Sequence, residues 1–394
     1  MDTLAVCGGR FPAPDAESAP FVAGTILCRE AWIREVHTQG PGAVAEETPV
    51  LDATGCVVLP GFVDVHIHGS AGVDVMDASR TGLARLSRFL ARHGVTGFLP
   101  TTITAPPEAL LAAVEAVARF MEAEPPGARA LGVHLEGPYI SPRYPGAQPV
   151  EHIRRPDPRE LAALAAAGPV RLITLAPEVP GAHGLMAQAL EAGIGVVIGH
   201  TAATYEEAQE AIRRGASQAT HTFNAMTGLH HRRPGVVGAV LHNDAIYAQL
   251  IPDTVHVHPA AMDILARCKG PQGTLLITDA IRAAGMPPGT YELGGQEVVV
   301  SPEGVCRLPD GTLAGSIVTM DQGLRHFLAA TGWPLERAWP VTSRTPAQAL
   351  GMDGVIGRVA PGYRADLVLL DAHLEVVATV VGGQVVFDRR QEAG

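Results

Sequence analysis

Short apolar segments alternate with amphipathic ones through the middle of the chain. The apolar segments predict eight β-strands, at residues 61–65, 97–100, 130–135, 170–175, 195–198, 218–220, 247–251 and 274–277. The amphipathic segments predict helices at residues 82–93, 107–123, 157–167, 183–192, 205–214, 259–269 and 319–331. Strands that alternate with helices in this way predict an α/β fold, a (β/α)8 TIM-like barrel.

Both ends of the chain have a different texture, with short strand-like runs between Pro- and Gly-rich turns. Neither end alone offers enough strands for a stable sheet. We therefore predict that residues 1–57 and 356–394 meet in a composite β-sandwich domain, beside a barrel domain of residues 58–355. Two separate β-appendages are the alternative. Residues 290–313, after the eighth strand, predict a β-hairpin insertion.

Composition narrows the class of protein. The chain has 394 residues, of which 47% are hydrophobic, and a net charge of −11, which argues against nucleic-acid binding. Its five cysteines form no CxxC pair, which indicates reduced thiols and a cytoplasmic protein. We find no sign of a secretory signal and no apolar run long enough to span a bilayer, so no membrane association is expected.

Residues of the kinds that bind metals stand at the carboxyl ends of the predicted strands, which share one rim in a barrel. His66 and His68 end the first strand and project to the same side, because side chains alternate along a strand. The others end the third, fifth, sixth and eighth strands: Glu136, His200, His221 and Asp279. Together these residues predict a metal-dependent active site.

Each of these residues also has a structural interpretation. The histidines could be ordinary strand or core residues, Glu136 could form a buried ion pair, and Asp279 could cap the following segment. His134 shares a strand face with Glu136 but lies deeper, so we expect it in the core or behind the site. Their joint occurrence at strand ends favours catalysis over these alternatives.

Glu136, His200 and His221 make a three-ligand catalytic metal site with an open position for water. The two histidines of the first strand could hold a second divalent metal. Asp279 has the chemistry of a proton shuttle that serves a water and then a leaving amine. This combination points to hydrolysis of an amide. Zinc is the first choice of metal, with iron, manganese and cobalt as alternatives, at one or two ions per subunit.

Other residues near the predicted rim could contact a substrate. Asn224 and Ala225 follow the sixth strand, His256 follows the seventh, and backbone N–H groups at 313–316 could meet polar ligand atoms. A basic run at 230–233, which contains Arg232, is a candidate phosphate or carboxylate site in this acidic chain. A solvated loop is the alternative for that run.

Several longer motifs run through nearly the whole chain. They are PGFVDVHIHG at 60–69, HLEGP at 134–138, GHT at 199–201, THTFNAM at 220–226, HRRPG at 231–235, TDA at 278–280, LAGS at 313–316 and PGYRADL at 361–367. This set resembles the N-acetylglucosamine-6-phosphate deacetylase family of the amidohydrolase superfamily. The HxH pair alone would mark only the superfamily.

The resemblance implies hydrolysis of a 6-phosphorylated N-acetyl amino sugar to the amino-sugar phosphate and acetate. It implies Glu136, His200 and His221 as ligands of the main metal and Asp279 as the catalytic acid/base. It also implies a homodimer whose partner subunit helps to bind the phosphate. The substrate contacts that it implies are Ala147, Gln148, Asn224, Ala225, Arg232, His256, Leu313, Ala314 and Gly315.

The chain departs from the family pattern at three places. Gln148 stands where the family often has His, Arg233 replaces a Glu, and Pro252-Asp253-Thr254 replaces Ala-Asp-Gly. These departures leave the hydrolytic residues intact but leave open which sugar is bound, the gluco or the galacto epimer.

Two other functions are weighed against this one. A cyclic-amide hydrolase of the same superfamily usually needs a carboxylated lysine at the fourth strand. Here that strand runs into LAPE at 175–178, and Lys269 is the only lysine of the chain. A non-enzymatic scaffold or sugar-phosphate sensor would be expected to lack a ligand or the acid/base residue, and the sequence lacks none.

Overall fold

The computed structural model describes residues 3–13, 20–38 and 44–392. Eight parallel strands form the central barrel in the predicted order, with each strand beside the next in sequence. They are Phe62–Ile67, Val95–Thr102, Val133–Glu136, Val170–Leu175, Gly195–Ile198, Ala216–Ala219, Tyr247–Leu250 and Thr274–Leu276. The predicted third strand is broken, because Gly132 has a φ of 138° and separates a short strand, Arg129–Ala130, from Val133–Glu136.

The eighth and first strands meet just beyond their regular ladders. The Asp279 N–H donates to the His66 carbonyl at 2.9 Å, and the His68 N–H donates to the Ala280 carbonyl at 2.9 Å. The buried Asp64 carboxylate accepts the Thr278 hydroxyl at 2.6 Å beneath this junction. Because of these bonds, residues from the two ends of the barrel sequence lie side by side at its carboxyl rim.

Helices surround the barrel at Arg80–Arg92, Pro107–Met121, Pro158–Ala167, Ala182–Glu191, Tyr205–Arg213, Gly235–His242, Pro259–Gly273 and Met320–Thr331. Short helices follow at Leu335–Ala338, Arg344–Ala349 and Arg389–Glu392, and 3₁₀ turns lie at Val75–Asp77, Val150–His152 and Trp339–Thr342. Local capping explains several starts: Asp157 accepts N–H groups at the third helix, and Thr204 and Glu207 form a capping box at the fifth.

Strands from both ends of the chain meet, as predicted, and do not form two separate appendages. They pair in one eight-stranded sheet. Its order is Gln384–Asp388, Val376–Val381, Leu367–Leu370, Val57–Pro60, Thr3–Phe11, Val22–Arg29 and Trp32–His37, with Val50–Asp52 beside Thr3–Phe11. Along Val57–Pro60, Val58 packs in the sheet's own apolar cluster while Val57 and Leu59 pack in the barrel's cluster. This alternation joins the sheet to the barrel. The domain boundaries given above stay predictions.

The predicted insertion after the eighth strand is a small antiparallel sheet of Gly289–Leu293, Gln296–Val300 and Cys306–Arg307. It contacts the loop after the third strand, because the Gln296 side-chain amide donates to the Ala147 carbonyl at 2.7 Å. The insertion therefore stands beside the carboxyl rim. All five cysteines are free thiols. Within the three described stretches of chain, no helix is both long enough and apolar enough to cross a bilayer.

Candidate active site

A buried carboxylate lies at the centre of the carboxyl rim. The Glu136 Oε1 atom is 3.2 Å from the Nε2 atom of His200 and 3.1 Å from that of His221. The two Nε2 atoms are 3.1 Å apart. These three side chains come from the ends of the third, fifth and sixth strands, as predicted, and form one group that could hold a metal ion.

The histidines of the first strand form a second group around the same carboxylate. The His66 Nε2 atom is 3.4 Å from Glu136 Oε1, and the His68 Nε2 atom is 3.2 Å from Glu136 Oε2. The two Nε2 atoms are 3.3 Å apart. With Glu136 these histidines form another triad that could hold a metal ion, so Glu136 is common to both groups.

Hydrogen bonds on the far side of each ring decide which nitrogen faces the centre. The Nδ1 atom of His68 lies 3.2 Å from the Thr101 carbonyl, that of His200 lies 3.1 Å from the Tyr144 carbonyl, and that of His221 lies 3.2 Å from the Asn224 carbonyl. A carbonyl oxygen can only accept, so each Nδ1 carries the proton. In the neutral ring each Nε2 is then a lone-pair donor available to a metal.

His66 is oriented by side chains instead of carbonyl groups. Its Nδ1 atom is 2.9 Å from the Thr220 hydroxyl, which donates in turn to Gln249 Oε1 at 3.1 Å. The Gln249 amide donates to Gln218 at 3.0 Å, which leaves its oxygen as the acceptor. This chain of bonds makes His66 Nδ1 the donor and turns its Nε2 lone pair toward Glu136.

The donor set fits a divalent metal. Four imidazole Nε2 atoms and a carboxylate converge in a space that is almost closed to water, and His66, His68, Glu136, His200 and His221 are all buried. Burial alone would raise the pKa of Glu136, but the facing histidines outweigh it and hold that pKa well below its usual range. Imidazole nitrogens and a carboxylate oxygen are the usual protein ligands of zinc and related ions.

Asp279 faces the same centre from the eighth strand. Its Oδ1 atom is 3.5 Å from His66 Nε2 and 3.3 Å from His68 Nε2. Burial would raise its pKa, but His66 and His68 lower it to about 2. Asp279 is therefore ionised at neutral pH, which is the state that a proton acceptor requires.

The backbone turns sharply where these strands end. His200, His221 and Asp279 have φ values of 45°, 25° and 48°, in the left-handed region that residues with a Cβ rarely adopt. Such conformations persist only where the surrounding structure imposes them, and they cluster at functional sites. Here they direct three side chains inward at the point where each strand stops.

A cavity of about 230 Å³ opens above this cluster. Its walls include seven of the nine predicted substrate-contact residues: Ala147, Gln148, Asn224, Ala225, His256, Leu313 and Gly315. Sequence reasoning missed four other wall residues, Ile103, Gly146, Leu293 and Thr312. Leu293 belongs to the insertion. An apolar residue in a predicted hairpin does not indicate from the sequence alone that its side chain lines a cavity.

Two predicted contacts are not brought to the cavity wall. Ala314 is fully buried and packs in the apolar cluster of the insertion, because it alternates with the wall residues Leu313 and Gly315. Arg232 is exposed on a tight turn closed by the His230 and Arg233 backbones, and it is not among the cavity's wall residues. Within this subunit, the cavity therefore has no contact with the basic run.

His256 is held by a neighbouring carboxylate. Its Nδ1 atom is 2.6 Å from Asp253 Oδ2, and Asp253 Oδ1 accepts the His256 N–H at 2.8 Å. Burial would lower the pKa of His256, but Asp253 outweighs this effect and raises it. The imidazole thus presents an N–H donor to the cavity. The sequence did not predict Asp253 as the partner of His256, because Asp253 entered only as part of the Pro252-Asp253-Thr254 departure from the family pattern.

His134 lies behind the site, as expected. Its Nδ1 atom is 2.9 Å from the Val65 carbonyl and its Nε2 atom is 2.8 Å from the Thr174 hydroxyl. Burial lowers its pKa to about 3, so the ring is neutral. Sequence reasoning missed Thr220 and Gln249 as supports of His66. Gln249, a glutamine within an otherwise apolar predicted strand, was the one sequence feature that could have indicated a polar partner for His66.

Comparisons with known proteins agree with this geometry. Residues 57–386 match the model of the Amidohydrolase family. N-acetylglucosamine-6-phosphate deacetylase of Lysinibacillus sphaericus is 42% identical over 89% of this chain and 89% of that protein. N-acetylgalactosamine-6-phosphate deacetylase of Escherichia coli O157:H7 is 40% identical over 92% of this chain and 98% of that protein.

A solved structure is similar over the same extent. It is a mutant of N-acetyl-D-glucosamine-6-phosphate deacetylase from Mycobacterium smegmatis in complex with N-acetyl-D-glucosamine-6-phosphate. It superimposes with a TM-score of 0.89 and 35% identity, covering 98% of each chain. The resemblance read from the motifs is confirmed. This chain belongs to the amidohydrolase family and groups there with the N-acetylglucosamine-6-phosphate deacetylases.

Proposed function

We propose that this protein hydrolyses the acetamido group of N-acetylglucosamine 6-phosphate, giving glucosamine 6-phosphate and acetate, in amino-sugar breakdown or cell-wall sugar recycling. The observation that carries the proposal is the convergence of four Nε2 atoms and the Glu136 carboxylate beside the ionised Asp279, at the base of the cavity. The relatives named above share this chain's length and fold.

Glu136, His200 and His221 would hold the main metal, and His66 and His68 would hold a second one together with Glu136. When bound, a divalent metal supplies Lewis acidity and lowers the pKa of water. Zinc is our first choice, since imidazole and carboxylate ligands suit it, and iron, manganese or cobalt would fit the same donors.

Asp279 is the group that moves the proton. Its ionised carboxylate accepts a proton from the water that attacks the acetyl carbon. It returns this proton to the amide nitrogen as the C–N bond breaks, so the amine leaves neutral and the oxygen of the water stays on the acetyl carbon. The acetic acid formed keeps the second proton of the water and releases it to solvent as acetate. The His256 N–H and the side chain of Asn224 line the cavity, where they can orient the sugar.

The 6-phosphate calls for a strong cation, and the cavity's wall residues, all within the described part of the chain, include no arginine or lysine. Arg232 is exposed and stands outside that wall, which supports the expectation that a second copy of the chain brings its own Arg232 to this phosphate. We therefore propose a homodimer. A cytoplasmic location is proposed with it, on the grounds of the five free thiols.

The galacto epimer is a second candidate substrate, because one relative at 40% identity is named for N-acetylgalactosamine 6-phosphate.

A cyclic-amide hydrolase is a weaker alternative, because that activity usually needs a lysine that bridges two metals. Lys269, the sole lysine, lies on the Pro259–Gly273 helix and donates to the Asn243 carbonyl. It is not among the cavity's wall residues, so it is not placed to bridge two metals.

A substrate panel tests the proposal. Acetate release should be measured on both 6-phosphorylated epimers, on unphosphorylated N-acetylglucosamine, and beside ring opening of dihydroorotate. We expect turnover on at least one phosphorylated epimer and a large loss in kcat/KM without the phosphate. Ring opening of dihydroorotate with no acetate release would contradict the proposal.

A further inference from the structure

Gln148 is buried at the edge of the cavity, and both ends of its amide are engaged. Its Nε2 atom lies 2.6 Å from Glu136 Oε2, and its Oε1 atom accepts the backbone N–H of Thr104 at 2.7 Å. Only 4% of its surface is exposed. One side chain thus connects the loop after the second strand with the carboxylate shared by both metal-type groups.

The two contacts agree on the orientation of the amide. The Thr104 N–H can only donate, so it requires the amide oxygen, and the Glu136 carboxylate can only accept, so it requires the amide nitrogen. A flipped amide would lose both bonds at once. The Gln148 backbone is also held, because its own N–H donates to the Pro145 carbonyl at 3.0 Å.

We propose that Gln148 is a positioning residue for the metal ligand Glu136. Its amide holds Oε2 and leaves Oε1 directed at the Nε2 atoms of His200 and His221. The proposal rests on the proposed function, since it needs a metal centre at Glu136. It differs from the role that the family resemblance implies, in which this position contacts substrate.

The geometry explains why the bond matters for affinity. A carboxylate that can rotate must lose that freedom when it binds a metal, and a short bond to a charged acceptor removes the freedom in advance. Partners that orient metal ligands typically change metal affinity 10–100-fold when they are removed. Because Thr104 also fixes the amide oxygen, the whole Gln148 side chain is held before any metal arrives.

The test is metal affinity. Gln148→Met keeps the length of the side chain but removes the donor. We expect it to weaken zinc binding by about 10–100-fold, measured on metal-stripped protein by competition with a chromophoric chelator. At saturating zinc, KM for the sugar phosphate should rise by a smaller factor than the zinc affinity falls, since the main loss is in holding the metal ligand.

Gln296→Met is the matched control. Gln296 also donates to this loop, at the Ala147 carbonyl, but it contacts neither Glu136 nor the cavity. Its variant should bind zinc like the wild type. Gln148→Asn is a second variant that stays polar and compact, but it is one methylene too short to span Thr104 and Glu136. It should weaken zinc binding as Gln148→Met does.

The outcomes separate this proposal from the proposed function. Unchanged zinc affinity in both Gln148 variants, together with a raised KM, would overturn the positioning role and favour a substrate contact. Equal losses in the Gln148 and Gln296 variants would overturn it as well, because the loop and not the amide would then be responsible. If the wild type bound no metal at all, the proposed function itself would fail.

Discussion

Asp279 combines three properties at the scale of a single residue: a left-handed backbone, burial, and a carboxylate that two histidines keep ionised. Asp279→Asn keeps the shape and removes the proton acceptor. We expect kcat for acetate release to fall by about 10²–10⁴-fold. Metal content, measured by plasma emission spectrometry, should stay at the wild-type stoichiometry. A variant that kept full turnover would contradict the role of Asp279 as acid/base.

Gly146 lies against the ring of His200, which makes it a second sensitive position. Its φ is 55°, and a Cβ built there would be 3.2 Å from the His200 Cε1 atom. Gly146→Ala should destabilise the protein by about 1–2 kcal/mol and reduce turnover, because strain and contact act together. Chemical denaturation measures the first effect and acetate release the second.

Gly184→Ala is the control for that variant. Gly184 lies in the Ala182–Glu191 helix, and a Cβ there would meet nothing within 4 Å. Alanine should stabilise this helix by about 0.5–1 kcal/mol. If Gly146→Ala proved as harmless as this control, the close approach to His200 would have no functional weight.

The metal-type residues at the strand ends could be predicted from the sequence, but the residues that hydrogen-bond to them could not. His66, His68, Glu136, His200 and Asp279 could be predicted because each follows an apolar run, and a barrel brings such ends together. The amide of Gln148 reaches across 44 residues to Thr104 and 12 to Glu136, and no local pattern encodes a hydrogen bond between loops. The left-handed backbone conformations of His200, His221 and Asp279 could not be predicted either, because no local sequence pattern encodes them.

At the scale of the element, one carboxylate connects several side chains at the start of the Met320–Thr331 helix, beside the capping box of Thr319 and Gln322. Asp321 Oδ1 lies 3.0 Å from His93 Nδ1 and accepts the Thr319 hydroxyl at 2.7 Å, while its Oδ2 accepts from Arg325 at 3.1 Å. Burial would raise the pKa of Asp321, but His93 outweighs it and the pKa is lowered. A negative charge in the first turn also suits the helix dipole.

Asp321→Asn should therefore reduce stability in a pH-dependent way. Because the folded-state pKa lies below that of the unfolded chain, the contribution is complete above ~pH 4 and is lost as the pH falls through the folded-state value. We expect a loss of about 1–3 kcal/mol at neutral pH and a smaller loss at about pH 3, where the aspartate of the unfolded chain is largely protonated. Urea denaturation at both pH values measures it. A loss that is independent of pH would contradict this explanation.

Helices with a clear polar face were predicted well, and one apolar helix was missed. The Gly235–His242 helix was missed because six of its eight residues are buried and apolar or glycine, so no polar face reveals the helical period. The helix predicted at 259–269 ends before the observed helix, Pro259–Gly273. The predicted end coincides with a kink at Gly270, whose φ is 63°. The sixth strand was predicted two residues late, since Ser217 and Gln218 interrupt its apolar pattern.

At the scale of the whole molecule, the terminal sheet is tied to the barrel by an ion pair as well as by apolar packing. Arg129 Nη2 lies 2.7 Å from Asp366 Oδ2, and Asp366 Oδ1 accepts the Gly382 N–H at 2.7 Å. Asp366 is buried and Arg129 is partly exposed. The pair joins the short strand Arg129–Ala130, which pairs with the barrel's second strand, to the sheet formed by the chain ends.

Asp366→Asn should therefore destabilise both parts together, by about 1–3 kcal/mol, because it weakens a charge-assisted bond at their contact. Trp32 reports on the sheet, and Trp333 and Trp339 report on the barrel cluster. Fluorescence and far-UV circular dichroism should give coincident transitions in both proteins. A variant that unfolds the sheet at lower denaturant than the barrel would contradict this coupling.

The joining of the two chain ends could be predicted because neither set of strands suffices alone. The packing of Val57–Pro60 against two apolar clusters could not be predicted, because this strand is apolar on both faces and its sequence does not indicate which face meets which cluster. A subunit contact that brings Arg232 to the phosphate stays a prediction of the resemblance.

Metal titration of stripped protein is the most direct test of the proposed chemistry. The protein should be freed of metal with a chelator, returned to zinc in measured increments, and assayed for acetate release from N-acetylglucosamine 6-phosphate. We predict no release from the stripped protein, and turnover that rises with bound zinc and saturates at one or two ions per subunit. Undiminished release without metal, or stoichiometric zinc binding without any release from either epimer, would contradict a metal-dependent deacetylase.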